Sequence, residues 1–273
     1  MNNNIFEENT PVEEYFLDRR KIFVKRDDLY GRAPAPPLGK LRGLIRRLVD
    51  SLTAKGTRVF GCWDTHFSEL GLGVAALCAT QPGLKAIVSY PVSKKRDVPV
   101  AIVEAERLGA MLLPVPSNHV SICYAQARKR IEALGGYMLP FGLECVESVD
   151  SISEVAGIVD DKFYANGTIV LSCGSGVTMA GLINGLRARP QKLIGISSGR
   201  SLDAIFACLH RHCQQLPSCL DLRAAVVPYA HELKYDCPFP SHPNYDLKAW
   251  QFLETNLPDL PEPVLFWNIG ASG

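Results

Sequence analysis

Nowhere does this chain of 273 residues hold a run approaching the roughly 18 consecutive apolar residues that a membrane-spanning helix needs, which excludes a helical membrane protein. No apolar segment follows a basic start, so no secretory leader is read and a cytoplasmic location is expected. The nine cysteines are odd in number and include no C-x-x-C pair, which argues against a disulfide framework and for reduced thiols. Neither sign of charge is in excess: 29 lysines and arginines face 28 acidic residues, so no strong field draws the chain to nucleic acid or to an anionic membrane. Cys208, His210, His212 and Cys213 fit no familiar zinc pattern. Adjacent Asp27 and Asp28 would point to opposite faces of a strand. No metal is therefore expected, and the two aspartates are read as support near the lysine segment described below.

At about 100 to 200 residues per domain, the length allows one large domain or two modest ones. Short β-rich runs alternate with longer helical periods, the pattern of an α/β protein whose parallel sheet is covered on both faces. Strands are expected at 57–61, 85–90, 111–115, 137–139, 168–173, 192–197 and 264–269. Helices are expected at 41–52, 68–79, 98–108, 120–134, 148–160, 177–188 and 201–214. Residues 216–243 carry scattered prolines and cysteines without a clear period and are expected to be irregular.

Two segments carry chemistry. The apolar run 168–173 leads into Gly174-Ser175-Gly176-Val177-Thr178 and then an apolar helix. Backbone N–H groups in such a turn, with the positive end of the helix behind them, hold a phosphate without lysine or arginine. Gly174 and Gly176 allow close approach, and Ser175 and Thr178 add hydroxyls. The run is not a P-loop, since no Gly-Lys-Ser/Thr follows, and Met179 stands where G-x-G-x-x-G needs its third glycine, so ATP and NAD are disfavoured. The plainer reading is a tight strand-to-helix turn. The second segment is Pro36-Pro37-Leu38-Gly39-Lys40-Leu41-Arg42, a glycine-flanked lysine opening a helix. Alone, Lys40 reads as a solvated surface charge. Beside a phosphate cradle it is the amine that an aldehyde cofactor needs for imine formation.

With Phe23-Val24-Lys25-Arg26-Asp27-Asp28-Leu29 before it, the Lys40 segment resembles the start of fold-type II pyridoxal-phosphate (PLP) enzymes, and among them the aminocyclopropane-carboxylate deaminase and D-cysteine desulfhydrase group. The resemblance continues in order along nearly the whole chain. Ser68 followed by Val74-Ala75-Ala76-Leu77 resembles the serine loop and helix that meet the substrate carboxylate. Phe141-Gly142-Leu143-Glu144 resembles the glycine-turn segment before the next helix. Ser172-Cys173-Gly174-Ser175-Gly176-Val177-Thr178-Met179-Ala180-Gly181 is similar to the cofactor-phosphate loop. His242-Pro243-Asn244-Tyr245-Asp246-Leu247-Lys248-Ala249 resembles the segment in which a tyrosine lines the site and an acidic neighbour faces the pyridine nitrogen.

The resemblance implies a fold with two parallel-sheet, three-layer α/β domains and PLP between them. Residues 1–53 plus 146–273 would form the larger, cofactor-binding domain and 54–145 the smaller one. It implies that Lys40 carries the Schiff base, that Gly174, Ser175, Gly176, Val177 and Thr178 hold the cofactor phosphate, and that the protein is a homodimer. Tyr245 and Asp246 inherit the tyrosine and acidic roles; for Asp246 the plainer reading is a favourable charge in a helix's first turn. The chain departs from the family where Gly39 and Glu69 replace asparagines and where Asn268-Ile269-Gly270-Ala271 replaces threonine-glycine-glycine. Asn268 is the candidate substitute there.

The implied activity is a PLP-dependent lyase acting on an amino-acid-type substrate through imine and carbanion chemistry, as a deaminase, desulfhydrase or decarboxylase. Lys40, Tyr245 and Ser68 are the expected catalytic residues. Thr65, His66, Ser68, Glu144 and Tyr245 are candidates for gripping substrate, although His66 reads equally as a capping or surface residue. Glu144 is unusual, because a carboxylate beside an anionic substrate repels it. The short length and the Pro140-Phe141-Gly142-Leu143-Glu144-Cys145 wording also resemble compact bacteriophage PLP enzymes that finish amino-acid-modified thymines in DNA, which would work in the host cytoplasm. A wider site mouth would suit a flipped base, with Lys94-Lys95-Arg96 and Arg46-Arg47 on the phosphates. A non-catalytic PLP- or phosphate-binding protein is the third reading.

Overall fold

The computed structural model describes residues 5–94 and 96–272, and all side chains among them except those of residues 45 and 46. Lys95 and the Arg46 side chain, two of the expected phosphate contacts, thus lie outside the described residues. In chain order the elements begin with β1 (Val12–Leu17) and β2 (Arg20–Arg26), followed by α1 (Asp50–Ala54), β3 (Val59–Trp63), α2 (Leu70–Thr80) and β4 (Lys85–Val92). Next come α3 (Val100–Arg107), β5 (Met111–Pro116), α4 (Val120–Ala133), β6 (Tyr137–Met138) and α5 (Val146–Ile158). The last are β7 (Thr168–Cys173), α6 (Val177–Gly185), β8 (Lys192–Ser197), α7 (Leu202–His212), β9 (Leu220–Ala224), α8 (Asp246–Asn256) and β10 (Val264–Asn268).

The chain divides into two compact units, one of residues 1–32, 37–44 and 144–273 and the other of 33–36 and 45–143. The larger unit is built on a six-stranded sheet in the order β1-β2-β10-β7-β8-β9. All its pairings are parallel except the β1–β2 hairpin. Both faces are buried, and the two-residue period divides each strand between them. Ile169, Leu171, Leu265 and Trp267 pack with Ile152, Val177, Leu182, Ile205 and Leu209 of α5, α6 and α7. Val170, Ile194, Val264 and Phe266 pack on the opposite side with Trp250 and Leu253 of α8. This is the three-layer α/β arrangement.

The smaller unit holds a parallel four-stranded sheet in the order β5-β4-β3-β6. Ile87 on β4 packs toward Cys123, Ala127 and Ile131 of α4. Its neighbour Val88 meets α2, where a Cβ on Gly71 would lie 2.5 Å from it. Alternate residues of one strand thus serve helices on opposite faces.

Three strands and a helix escape the apolar pattern. β1 and β2 carry Glu13, Lys25 and Arg26, whose charges hide the alternation until ion pairs bury them; Arg26 bonds Asp28 and Glu13. β9 lies inside the segment expected to be irregular. α8 opens on charged and polar residues. The helix expected over 41–52 is instead a short turn at Gly39–Leu41, a wide π-type turn at Leu44–Val49 and then α1. At the start of this stretch the chain presses on α5, since a Cβ on Gly43 would fall 2.3 Å from the Ser148 Cα.

Candidate active site

Parallel pairing brings the carboxyl ends of β2, β10, β7 and β8 to one edge of the larger sheet, with Arg26 opposite Asn268 and Cys173 opposite Ser197. Ligands in open α/β sheets bind outside such an edge. The turn leaving β7 puts Gly176 at φ +92, a left-handed conformation that glycine adopts without cost, and this residue heads α6 without any side-chain cap. The first N–H groups of an α-helix lack intrahelical partners, so the uncapped head of α6 presents donors to an anion. Tyr245 closes one side of the turn, 3.4 Å from where a Gly174 Cβ would stand, and Cys208 closes another, 3.2 Å from a Cβ on Gly176. Larger residues would fill the cradle. Val177 and Thr178 are buried in the first turn of α6.

Lys40 reaches this cradle because its segment is stitched to the exit of β10. The Gly39 N–H donates to the Ile269 carbonyl at 2.8 Å, the Ala271 N–H donates to the Pro37 carbonyl at 3.0 Å, and Leu38 bridges Gly270. Beneath the segment lies the buried carboxylate of Asp27, which accepts bonds from Thr10, Arg42 and the Trp267 indole. From that platform the Lys40 Nζ donates to the Ser175 Oγ at 2.8 Å. Enclosure of the amine, helped by the nearby Arg200 charge, pushes it down to about 8. A lysine so placed is poorer as a salt-bridge partner and better as a nucleophile.

Asp246 opens α8 fully enclosed, with its carboxylate accepting from the Ile269 N–H at 3.1 Å. Burial pushes its carboxyl up to about 8, so it is held as the neutral acid in the absence of a cation. The Asn268 amide already donates to the Pro240 carbonyl and accepts from the Ser241 hydroxyl. Between the two, Asp246 is the group with most to gain from a protonated ring nitrogen. Tyr245 shares a 2.6 Å bond between hydroxyls with Tyr229, and its ring stands edge-on to His242. Burial, with the Lys248 charge, holds His242 down to about 4, and its Nδ1 accepts from the Asn244 N–H.

The oddity of Glu144 has a structural answer. Its carboxylate accepts from Arg200 at 2.9 Å and from the Arg211 Nε at 3.0 Å, so it stands as the shared partner of two guanidiniums and not as a bare negative charge. Glu144, Cys208 and His212 bring ligand-type atoms within 4.8 Å of one another. The carboxylate is nevertheless spent on arginines, and burial pushes the Cys208 thiol up to about 11, so the cluster has the chemistry of an ion pair and not of a metal centre.

Thr65, His66 and Ser68 lie together in the smaller unit, on the loop from β3 to α2. The Ser68 hydroxyl accepts from the Leu70 N–H at 3.3 Å and bonds Asp64, while His66 stands edge-on to Phe67. Asp64 takes the Gly71 N–H at 2.7 Å and caps α2. Sequence reasoning missed Asp64, Tyr229, Arg200, Arg211 and the packing role of Cys208. None stands in a motif; Asp64 reads as an ordinary loop acid, and the others have partners remote in sequence.

No family model matches the chain. A glycyl-dTMP PLP-dependent decarboxylase of Pseudomonas phage M6 is 32% identical over 278 residues, covering 96% of this chain and 98% of that protein. The chain belongs to the PLP-dependent enzymes of fold type II. The crystal structure of an ACC deaminase homologue shares its fold at a TM-score of 0.79 and 19% identity, covering 98% of this chain and 90% of that one. The processed form of threonine deaminase isoform 2 from Solanum lycopersicum does so at 0.70 and 13%, covering 98% and 85%. This fold-type II enzyme is a PLP-dependent lyase, and the non-catalytic reading is not favoured. Its residues fit the cofactor: the glycine cradle and uncapped α6 suit the phosphate, Lys40 the aldehyde and Asp246 the ring nitrogen. Among the described residues no helix is long and apolar enough to cross a membrane.

Proposed function

We propose that this lyase is a decarboxylase, and that its substrate is an amino acid carried on a thymine nucleotide, as a free nucleotide or within DNA. The observation that carries the reading is the match, nearly end to end in both chains, to a glycyl-dTMP decarboxylase. When bound, PLP supplies an electron sink that stabilises the carbanion left as carbon dioxide departs.

In this reading Lys40 holds the cofactor through its ε-amine, which burial keeps substantially neutral near pH 8. Gly174, Ser175, Gly176, Val177 and Thr178 bind the phosphate at the head of α6. Asp246 would hold the ring nitrogen, where its carboxyl could supply a proton and its carboxylate the balancing charge. With PLP bound, Lys40 would be free to act once the substrate amine took its place, and having received a proton from that amine it would be placed to deliver one to Cα after carbon dioxide leaves. Tyr245, held through its hydroxyl by Tyr229, shapes the wall over Gly174. Thr65, His66 and Ser68 orient the substrate carboxylate, and Asn268 braces the exit of β10. We further propose that the enzyme works as a homodimer and, if phage-encoded, in the host cytoplasm.

The test is to supply PLP-loaded protein with a glycine-substituted thymidine nucleotide and with free amino acids, and to assay carbon dioxide and ammonia separately. Carbon dioxide released from the nucleotide in step with a new amine supports the reading. Ammonia and a keto acid from D-cysteine or aminocyclopropane-carboxylate, with the nucleotide untouched, would replace it by a deaminase.

A further inference from the structure

Two loops meet at the carboxyl edge of the smaller sheet. Parallel pairing sets β3 beside β4, and the Asp64 N–H donates to the Ser89 carbonyl at 2.8 Å, so the loop leaving β3, residues 64–69, starts against β4. The loop leaving β4 starts beside β5, where the Ser117 N–H donates to the Val92 carbonyl at 2.9 Å. It then tightens on itself: Ser93 and Arg96 form an isolated bridge, with the Arg96 N–H donating to the Ser93 carbonyl at 3.4 Å. This turn carries the basic run Lys94-Lys95-Arg96, to which the reaction above gives no task.

The turn lays Arg96 on the first loop. Its guanidinium stands over the Phe67 ring, 5.5 Å from the centroid, and the same ring meets His66 edge-on at 5.0 Å. A cation–π contact occupies the flat face of a guanidinium, while its five N–H donors point outward in the plane. The ring therefore fixes the group without spending its donors. Arg96 is exposed, and no carboxylate among the described residues pairs with it. Lys94 is exposed on the same turn, and the run 93–97 sets three cations against the single acid Asp97. Enclosure, and after it the Arg96 charge, holds His66 below its ordinary value, so its imidazole is neutral at pH 7 and keeps an N–H to donate. A guanidinium fork pre-oriented beside a second cation suits phosphate, which accepts two parallel N–H bonds.

The loop beneath Arg96 is also the one that holds Thr65 and Ser68, which the reading above sets on the substrate's amino-acid part. Resting on that reading, we propose that Arg96, held by the Phe67 ring and supported by Lys94 and His66, binds the phosphate attached to the substrate thymidine, as a monoester in a free nucleotide or a diester in DNA. One loop of the smaller unit then serves both ends of the substrate, with Arg96 as a binding residue and Phe67 as its positioning residue. The site makes the nucleotide, and not the free amino acid, the unit that is recognised.

The test uses PLP-loaded protein and compares, by calorimetry, the binding of thymidine, thymidine 5′-monophosphate and a short oligothymidylate. Wild-type protein is expected to prefer the monophosphate over thymidine by about tenfold, the worth of one charge-assisted contact. Arg96→Gln, at an exposed position, should erase that preference while melting temperature and bound PLP stay as in wild type. Phe67→Leu keeps the arginine without its platform and should lose part of the preference. An equal affinity for thymidine and its monophosphate in wild-type protein, or a preference that survives Arg96→Gln, overturns the site, and a preference untouched by Phe67→Leu overturns the role of the ring. An Arg96-dependent gain from the monophosphate to the oligonucleotide assigns the phosphate to DNA, and its absence assigns it to the free nucleotide. The proposed reaction falls separately: an Arg96-dependent preference without carbon dioxide from the glycine-substituted nucleotide keeps the phosphate site and rejects the decarboxylase, whereas carbon dioxide without the preference does the reverse.

Discussion

Gly39 and Asp27 touch so closely that a Cβ on the glycine would lie 2.6 Å from the Asp27 Cβ and 2.9 Å from its carbonyl oxygen. The carboxylate cannot yield, because Thr10, Arg42, Lys25 and Trp267 all converge on it. The family's asparagine therefore has no room before the lysine in this chain, and glycine is the solution that lets Lys40 follow a buried ion-pair network.

Gly39→Ala is accordingly expected to destabilise the protein by about 1–3 kcal/mol, the range for forcing extra atoms into a packed interior. It should also slow PLP attachment, because the strain falls one residue from the reacting amine. Thermal melting and borohydride trapping followed by mass measurement check both. Wild-type attachment in a destabilised variant would separate the platform from the chemistry.

The Lys40 amine gives a pH signature. With its value pushed down from 10.5 to about 8, the rate of PLP capture by apoprotein should rise with pH and level off just above 8. Since the folded value lies below the unfolded one, the folded chain binds fewer protons between 8 and 10.5, and the stability lost to a buried ammonium is regained as pH rises through that window. Lys40→Ala should capture no PLP covalently. A capture rate that keeps climbing toward 10.5 would mean an amine open to water.

Asp246 behaves in the opposite sense. Its folded value, raised from 3.8 to about 8, makes the folded apoprotein bind more protons than the unfolded chain between those limits, so this group's contribution is full below 3.8 and falls away as pH rises toward 8. Asp246→Asn should flatten that decline in urea titrations of apoprotein, and should lower turnover while PLP still attaches to Lys40. An unchanged pH slope would show that the carboxyl is not the group held neutral.

Much of this was legible because burial on both faces leaves a plain trace. Thr168–Cys173 and Lys192–Ser197 are β-rich and largely apolar, and the sequence reading places both strands with the bounds the structure gives them. The cradle was legible for a related reason: a strand, two glycines and an apolar helix adjoin in sequence. β2 was not, because Arg20, Lys25 and Arg26 look solvated until their partners Glu262, Asp27, Glu13 and Asp28 are in place. The same blindness hid Tyr229 and the two arginines on Glu144, whose significance lies in partners 16, 56 and 67 residues away along the chain.

The strand that fixes Lys40 is made late. β10 is inserted between β2 and β7, and its exit at Ile269–Ala271 holds the segment from Pro37 to Gly39. On the ribosome, the lysine emerges long before the strand that gives it a pocket, while α6 and its phosphate cradle are completed in between. The Lys40 segment thus gains its anchoring bonds only once Ile269–Ala271 has been made, so anything that loosens the exit of β10 is expected to loosen the lysine with it.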